Sequence, residues 1–207
     1  MPGVPASESH RSAVRSLPGG GHAVTGALTG SVAGSATSTA TNAATSAVTV
    51  TTLPAAALIG YREQLVAVAA QAFSAPPWSE KPIDAVRLVD HMWCALGRPG
   101  FAAVVALDGP HLVGFAYGHT DTRCAALDPR TDGGYEAFEL IELAISPAYQ
   151  GGGIGRALHD ALLAGAPGPR LLLTHPDAPA RKRYLAWGWE DLGEIPGDAQ
   201  PRVLMTL

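Results

Sequence analysis

Residues 145–158 read Ile145-Ser146-Pro147-Ala148-Tyr149-Gln150-Gly151-Gly152-Gly153-Ile154-Gly155-Arg156-Ala157-Leu158 and predict the end of a strand, a glycine turn and the start of a helix. The backbone N–H groups at a helix start have no partner within the helix, and the helix dipole is positive there. A phosphate can bind such a site when no side chain blocks its approach, which glycine allows. The alternative is a tight turn in which the glycines only supply a positive φ.

The spacing of these glycines distinguishes between the known nucleotide-binding motifs. No lysine follows as in GxxxxGK[ST], and Arg156 and Leu158 stand where the third glycine of GxGxxG would fall. The pattern Q/R-x-x-G-x-G/A fits from Gln150 to Gly155, and here the sequence resembles the GNAT acyltransferases. In that family the loop holds the pyrophosphate of acetyl-CoA. The resemblance implies this role for Gln150, Gly151, Gly152, Gly153, Ile154, Gly155 and Arg156.

A second motif downstream agrees with the same family. Residues 180–190 resemble its A-x-x-x-Y-x-x-x-G-[FW] helix and turn, with Tyr184 at the tyrosine position. In the family this tyrosine points at the sulfur of CoA and commonly protonates the leaving thiolate, a general-acid role that a phenol can fill. A tyrosine packed in the core is the alternative. Asp177 stands where the family often has an asparagine that helps to hold the pantetheine arm. It could accept a hydrogen bond in the same way or cap the following helix, and we favour the cap.

A nearly continuous apolar run from Phe138 to Ile145 predicts a buried central strand that holds two carboxylates. The resemblance implies that this fourth strand splays away from the fifth. It also implies that backbone groups of Leu143, Ala144 and Ile145 bind the pantetheine arm. A backbone N–H in such a position can stabilise the negative charge that develops on the thioester oxygen, an effect worth about 2.7–4 kcal/mol.

Glu139 and Glu142 are the candidate general bases. They lie three residues apart, so the two-residue period of a strand predicts that they face opposite sides of the sheet. Glu142 directly precedes Leu-Ala-Ile, as in many small-molecule members of the family, whereas Glu139 resembles the base of some histone-type members. We favour Glu142. The alternatives for either carboxylate are binding of a cationic substrate and a solvent-facing position.

Turn residues and changes of period place the other elements around these motifs. The resemblance covers residues 47–207 and implies a GNAT fold of the α/β (α+β) class, with a mixed, mostly antiparallel sheet of about six to seven strands and about four helices. The patterns predict strands at 47–51, 101–107, 112–117, 138–145, 171–173, 190–195 and 202–207, and helices at 58–73, 79–96, 178–187 and from the glycine turn to about 164.

The composition separates a tail from a folded domain. Residues 1–45 are low-complexity Ala, Ser, Thr and Gly with too few large side chains to offset the entropy of ordering, so we predict a disordered tail before a domain at 46–207. No charged residue occurs between Arg15 and Arg62, yet Ser, Thr, Gly and Pro interrupt the stretch, so no membrane span is predicted. The first residues do not resemble a secretory signal, and we expect a cytoplasmic protein.

Charge and cysteine content narrow the expected partners. The net charge of −4 opposes nucleic-acid binding and favours a cationic or neutral small substrate. Cys94 and Cys124 lack CxxC spacing, and no two of the seven histidines stand three or four residues apart, so we predict no metal. By analogy with the family, we also consider a homodimer.

These observations predict an enzyme that moves an acetyl group from acetyl-CoA to an amine of a small molecule or peptide by direct attack in a ternary complex. The alternatives are an acyl-CoA-binding module without turnover and a nucleotide-binding protein that uses the glycine loop for ATP. Trp78, His119, Asp121 and His175 are candidates for the acceptor pocket. A solvated loop is favoured for the last three, and core packing is an equal alternative for Trp78.

Overall fold

A seven-stranded mixed sheet forms the centre of the fold. The computed structural model describes residues 48–197 and 200–207, and the predicted tail at 1–45 lies outside these described residues. The strands are β1 (Thr49–Thr52), β2 (Ala102–Asp108), β3 (His111–Asp121), β4 (Ala137–Ile145), β5 (Arg170–Thr174), β6 (Glu190–Glu194) and β7 (Val203–Thr206). The helices are α1 (Ala55–Leu58), α2 (Arg62–Ala72), α3 (Pro82–Ala95), α4 (Ile154–Leu163) and α5 (Pro179–Ala186).

The element order confirms the predicted fold class. The predicted first helix is divided, because a 3-10 turn at Ile59–Tyr61 separates the single turn of α1 from α2. Its neighbour α3 begins with Pro82 at a position where the missing N–H costs nothing, and Asp84 accepts the N–H of Lys81 at 3.1 Å. Boundaries elsewhere differ from the prediction by one or two residues, except at the start of α3, which lies three residues later than predicted, and at the end of β3.

The sheet has the order β1-β2-β3-β4-β5-β7-β6. Every neighbouring pair is antiparallel except β4 and β5. The parallel pairing joins only residues 138–140 to residues 170–172. Beyond it β4 runs on to Ile145 along β3 alone. A gap therefore opens between the carboxyl ends of β4 and β5, as predicted.

Helices cover the two faces of β4. On one face α4 approaches closely, since a Cβ placed on Gly155 would lie 3.1 Å from Ile145 Cδ1. On the other face lies α2, where Ser146 Oγ donates a hydrogen bond of 2.7 Å to Gln71 Oε1. Within the described ranges, no helix is both long enough and apolar enough to cross a bilayer.

A β-bulge interrupts the pairing of β3 with β4. Tyr117 pairs with Glu142, whereas the next residue, Gly118, pairs with Leu140, so Ile141 is an extra residue on β4. Gly118 permits this close approach because a Cβ there would collide with the carbonyl oxygen of Glu139 and lie 2.7 Å from the Phe138 ring. The bulge therefore depends on a residue without a side chain at position 118.

Gly118→Ala is expected to lower the free energy of unfolding by about 1–3 kcal/mol, because backbone and an aromatic ring must move to admit the methyl group. The measurement is urea-induced unfolding. Gly60→Ala is the matched control, since nothing lies within 4 Å of a Cβ at Gly60. Equal stability of the two variants would mean that the bulge does not require Gly118.

The end of β3 and the segment after it differ from the prediction. His119 and Asp121 belong to β3, and His119 is buried, because pairing with β4 extends the strand through polar residues that read as a loop. The following 3-10 turn, Ala125–Leu127, packs Cys124 and Ala125 against a small core with Leu171 and Leu204. The segment after β3 therefore covers part of the sheet.

Asp128 fixes the conformation of this segment, residues 122–136. Its buried carboxylate accepts two hydrogen bonds of 3.0 Å from the Arg130 guanidinium and one of 2.7 Å from the Tyr135 hydroxyl. The Arg130 hydrogen bond is the main cause that holds the pKa of Asp128 well below its usual range. Burial and the same carboxylate raise the pKa of Tyr135 to about 12.

Candidate functional site

The glycine turn before α4 presents an open backbone surface. Gly151 and Gly153 have φ values of +86° and +85°, which L side chains rarely adopt. No atom lies within 4 Å of a Cβ built at Gly151, Gly152 or Gly153. The first N–H groups of α4 have no partner within the helix, so an anion can approach them without meeting a side chain.

Gly155 serves a different purpose from the three glycines before it. A Cβ there would meet Ile145 at 3.1 Å and Trp187 at 3.8 Å, so this glycine lets α4 pack closely on β4. Gln150, whose amide donates a hydrogen bond of 3.1 Å to the Ile145 carbonyl, ties the turn to the end of the strand. Ile154 is half-buried against the core.

Arg156 lies on the first turn of α4. Its guanidinium donates a hydrogen bond of 2.6 Å to Asp160 and lies 5.5 Å from the centre of the Trp187 ring. The side chain is nevertheless half exposed. Arg156 is thus paired with Asp160 one turn along α4, and its half-exposed side chain is the cationic group nearest in sequence to the open turn.

The gap between β4 and β5 presents backbone groups of β4. Ser146 N donates a hydrogen bond of 2.9 Å to Val113 of β3. Backbone groups of successive residues in such a strand point to alternate neighbours. Ala144 accordingly faces β3, whereas Leu143 and Ile145 face the gap. Of the three residues predicted to bind a pantetheine arm, two thus present N–H groups on the open side.

Tyr184 lies on α5 and is 1% exposed. Its ring packs against His159, Trp187 and Trp189 with ring centroids 5.5–6.4 Å apart. Burial, followed by the negative charge of Glu142, raises the pKa of Tyr184 well above its usual value. The phenol therefore keeps its proton at neutral pH, and its environment includes the Glu142 carboxylate.

His159 is part of the same aromatic cluster and joins α4 to Trp189, the residue before β6. Its Nδ1 lies 2.7 Å from Asp160 Oδ1, and its Nε2 lies 2.8 Å from the indole nitrogen of Trp189. An indole N–H only donates, so Nε2 is an acceptor, Nδ1–H is the donor to Asp160, and the ring is neutral. Burial lowers the pKa of His159, which agrees with this assignment.

The stability of the fold is expected to fall as the pH drops below about 6.5, the ordinary pKa of histidine. Since the pKa of His159 is lower in the folded than in the unfolded state, the unfolded state binds more protons in this range and gains in relative stability. The test is the free energy of unfolding from pH 7.5 to 5.0 for the wild type and His159→Gln, which retains an acceptor for Trp189 but does not titrate. Identical pH slopes for the two proteins would contradict the assignment.

The two candidate bases lie on one face of the sheet, so the prediction of opposite faces is wrong. Glu139 pairs with His119, and Glu142 pairs with Tyr117. His119 and Tyr117 are two residues apart on β3 and share a face, and each paired glutamate shares that face. Glu139 and Glu142 are three residues apart, which in a regular strand would place them on opposite faces. The extra residue of the bulge, Ile141, brings both side chains to the same face. Glu139 is 2% exposed and Glu142 is 1% exposed.

We call the face of the sheet that carries Glu139 and Glu142 the carboxylate face. Tyr117, His119 and Cys124 lie near these two carboxylates. Burial and then the charge of Glu142 raise the pKa of Tyr117 well above its usual value. Burial lowers the pKa of His119, although the charge of Glu139 opposes this shift. Burial, the charge of Glu139 and a hydrogen bond to Glu139 raise the pKa of the Cys124 thiol. All three are therefore neutral at pH 7.

Trp78 and His175 meet at the carboxyl end of β5. Their rings contact edge to face with centroids 5.3 Å apart, Trp78 is buried and the His175 side chain is 12% exposed. The connection between α2 and α3 thus packs against the segment after β5, and His175 does not lie in a solvated loop. The expected helix cap at Asp177 is wrong, because α5 begins at Pro179 after an Ala178 N-cap that makes no side-chain bond.

Sequence reasoning missed three residues of this region, namely Tyr117, Cys124 and His159. Gly118 was an available signal, since glycine inside a strand often marks a bulge, and a bulge would have brought Tyr117 and the carboxylates together. Nothing in the local pattern marks Cys124 or His159, because their partners are distant along the chain. Among the described residues, no group of three His, Cys, Asp or Glu side chains is arranged to hold a metal ion.

Comparisons with known proteins agree with the fold. The sequence pattern of the family described as "Acetyltransferase (GNAT) family" matches residues 63–189, more than half of the chain. A GNAT-family protein from Desulfovibrio desulfuricans is 22% identical, with a TM-score of 0.55 and coverage of 78% of this chain and 98% of that chain. No curated protein sequence matches the chain.

Two other solved structures are similar at comparable levels. The Salmonella typhimurium protein yncA, solved with its cofactor acetyl-CoA, is 18% identical with a TM-score of 0.52, and the match covers 77% of this chain and 92% of that one. The ribosomal-protein-S18-alanine N-acetyltransferase from Escherichia coli is 15% identical with a TM-score of 0.53, and covers 78% and 93%. At these identities the likeness shows a shared fold.

Proposed function

Since the chain belongs to the GNAT acetyltransferase family, we propose that it transfers an acetyl group from acetyl-CoA to an amine of a small molecule or peptide by direct attack in a ternary complex. The observation that carries this proposal is the bulge in β4. It turns Glu142 onto the carboxylate face, beside the residues of β4 whose N–H groups face the gap. Glu142 also lies close enough to Tyr184 to raise its pKa.

The described residues fit acetyl-CoA in two places. The open turn at Gly151–Gly153, the start of α4 and Arg156 suit the pyrophosphate, because they combine unpartnered N–H groups with positive charge and free space. The N–H groups of Leu143 and Ile145 suit the pantetheine arm and the thioester carbonyl. When bound, acetyl-CoA supplies the acetyl group as an activated thioester.

Three groups of the chain then have complementary roles. Glu142 accepts a proton from the ammonium of the acceptor and leaves a nucleophilic amine. A gap-facing N–H of β4 stabilises negative charge on the carbonyl oxygen. Tyr184, protonated at neutral pH, donates its proton to the sulfur as the carbon–sulfur bond breaks. The nitrogen loses its second proton as the amide forms, and this proton restores the neutral Tyr184 phenol, so the net proton released is the one that Glu142 accepted. The buried surroundings strengthen each of these interactions because water does not screen them.

A thiol-release assay tests this function. The protein is mixed with acetyl-CoA and a panel of amino acids, polyamines, aminoglycosides and peptide N-termini, and free CoA thiol is measured. The expected result is release that depends on an amine. Binding of acetyl-CoA without release for any amine would indicate a module without turnover. Displacement of CoA by ATP at equal concentration would indicate a nucleotide site instead.

A further inference from the structure

Glu139 is a buried carboxylate without a direct ion-pair partner. It is 2% exposed, and its Oε2 has no hydrogen-bond partner. In the part of the chain that the structure describes, it forms no ion pair with a lysine, arginine or histidine. An isolated buried carboxylate is strongly unfavourable, and buried charges are ordinarily paired. A cation supplied by a bound molecule would therefore be the simplest partner for the Glu139 carboxylate.

Among the described residues, no cationic side chain lies within ion-pair distance of Glu139. Arg123 is near enough to interact with it electrostatically, but its Nε donates a hydrogen bond of 3.0 Å to Asp121, which also lies 3.7 Å from Arg98. His119, which pairs with Glu139 across the strands, is neutral. The Cys124 thiol donates a hydrogen bond to the carboxylate without bringing charge. The segment that carries Cys124 is fixed through Asp128, so these contacts are part of an ordered structure.

The bulge sets the spacing between the positions of Glu139 and Glu142 on the sheet. Glu139 and Glu142 pair with His119 and Tyr117, which are two residues apart. At about 3.4 Å per residue, this places their positions on the sheet about 7 Å apart along the strand. A chain of four methylene groups between two ammonium groups spans a similar length. Such a molecule therefore matches the spacing of the two positions along the strand.

We propose that Glu139 binds a second ammonium group of the acceptor and that the acceptor is an aliphatic diamine or polyamine. This inference rests on the proposed function, in which Glu142 receives the proton of the reacting ammonium. Acetylation removes the charge of the reacting nitrogen alone, so the second ammonium stays paired with Glu139 until the product leaves. Glu139 is then a specificity residue, and Glu142 is the base.

The test compares 1,4-diaminobutane with n-butylamine, which has the same carbon chain and one ammonium. The wild type is expected to show a kcat/KM about 10- to 100-fold higher for the diamine, the range for a hydrogen bond to a charged group. Glu139→Gln is expected to remove most of this preference, chiefly by raising KM for the diamine. It should also raise the urea midpoint of the free protein, because an uncompensated buried charge is removed. Glu63→Gln, an exposed position on α2, is the matched control.

Each other outcome has a separate meaning. An equal loss on both amines in Glu139→Gln would overturn the proposal, because Glu139 would then act on the reacting amine. A lower urea midpoint would assign Glu139 to the stability of the fold and would also overturn it. Thiol release with other amines but not with 1,4-diaminobutane would exclude this substrate class and leave the acetyltransferase function standing. If none of the amines caused thiol release, the acetyltransferase function itself would be refuted.

Discussion

Tyr184→Phe is expected to lower kcat for acetyl transfer by about 100- to 10,000-fold, the contribution of a positioned general acid. Only the oxygen is removed, so the ring keeps its contacts with His159, Trp187 and Trp189. The wild-type phenol holds its proton at neutral pH because burial raises its pKa, and phenylalanine has no proton to give. The measurement is thiol release under saturating substrates.

Acetyl-CoA binding, measured by calorimetry, is expected to remain within a few-fold of the wild type in this variant. Tyr61→Phe is a suitable control, because it removes the same oxygen from a tyrosine in the 3-10 turn between α1 and α2 and leaves α5 unchanged. If Tyr184→Phe retained most of the wild-type kcat, Tyr184 would be a core residue and the thiolate would receive its proton elsewhere.

Glu142→Gln is expected to reduce kcat/KM at pH 7 by a similar factor, about 100- to 10,000-fold, because the ammonium of the acceptor then lacks its base. Glutamine is close to glutamate in size and can stay in the buried position opposite Tyr117. The loss should shrink as the pH rises, since a larger fraction of the amine is already free of its proton. The measurement is the pH profile of kcat/KM from 7 to 10.

The pH profile distinguishes this role from a structural one. If Glu142 is the base, high pH compensates for its loss because solvent deprotonates the amine. The activity of Glu142→Gln should then rise more steeply with pH than that of the wild type. A variant that has merely lost its fold or its acetyl-CoA site would stay low at every pH. Such a flat, low profile with intact acetyl-CoA binding would contradict the assignment of Glu142 as base.

The order of strands and helices could be predicted because local signals mark the ends of the elements. The Asp108-Gly109 pair marks the turn between β2 and β3, Pro82 marks the start of α3, and the glycines after Gln150 mark the turn into α4. These signals depend on φ values and missing N–H groups, which are properties of single residues. These signals can therefore be recognised without knowledge of the tertiary structure.

The arrangement of the carboxylates could not be predicted in the same way. Simple alternation places Glu139 and Glu142 on opposite faces, and only the pairing of β4 with β3 reveals the extra residue, Ile141. Burial of His119 likewise depends on pairing, because its own sequence neighbours are polar. Contacts such as Cys124 with Glu139 join segments whose proximity follows from the assembled sheet.

Isotopic analysis of the reaction product tests acetyl transfer to an amine most directly. The protein is incubated with acetyl-CoA that carries a ¹³C-labelled acetyl group and with 1,4-diaminobutane or an amine selected from the panel, and the products are identified by mass spectrometry and NMR. We predict one labelled N-acetyl amine for each CoA thiol released, with product formation greatly reduced in Tyr184→Phe and Glu142→Gln. Labelled acetate with no labelled amide, across the whole panel, would contradict the proposed function.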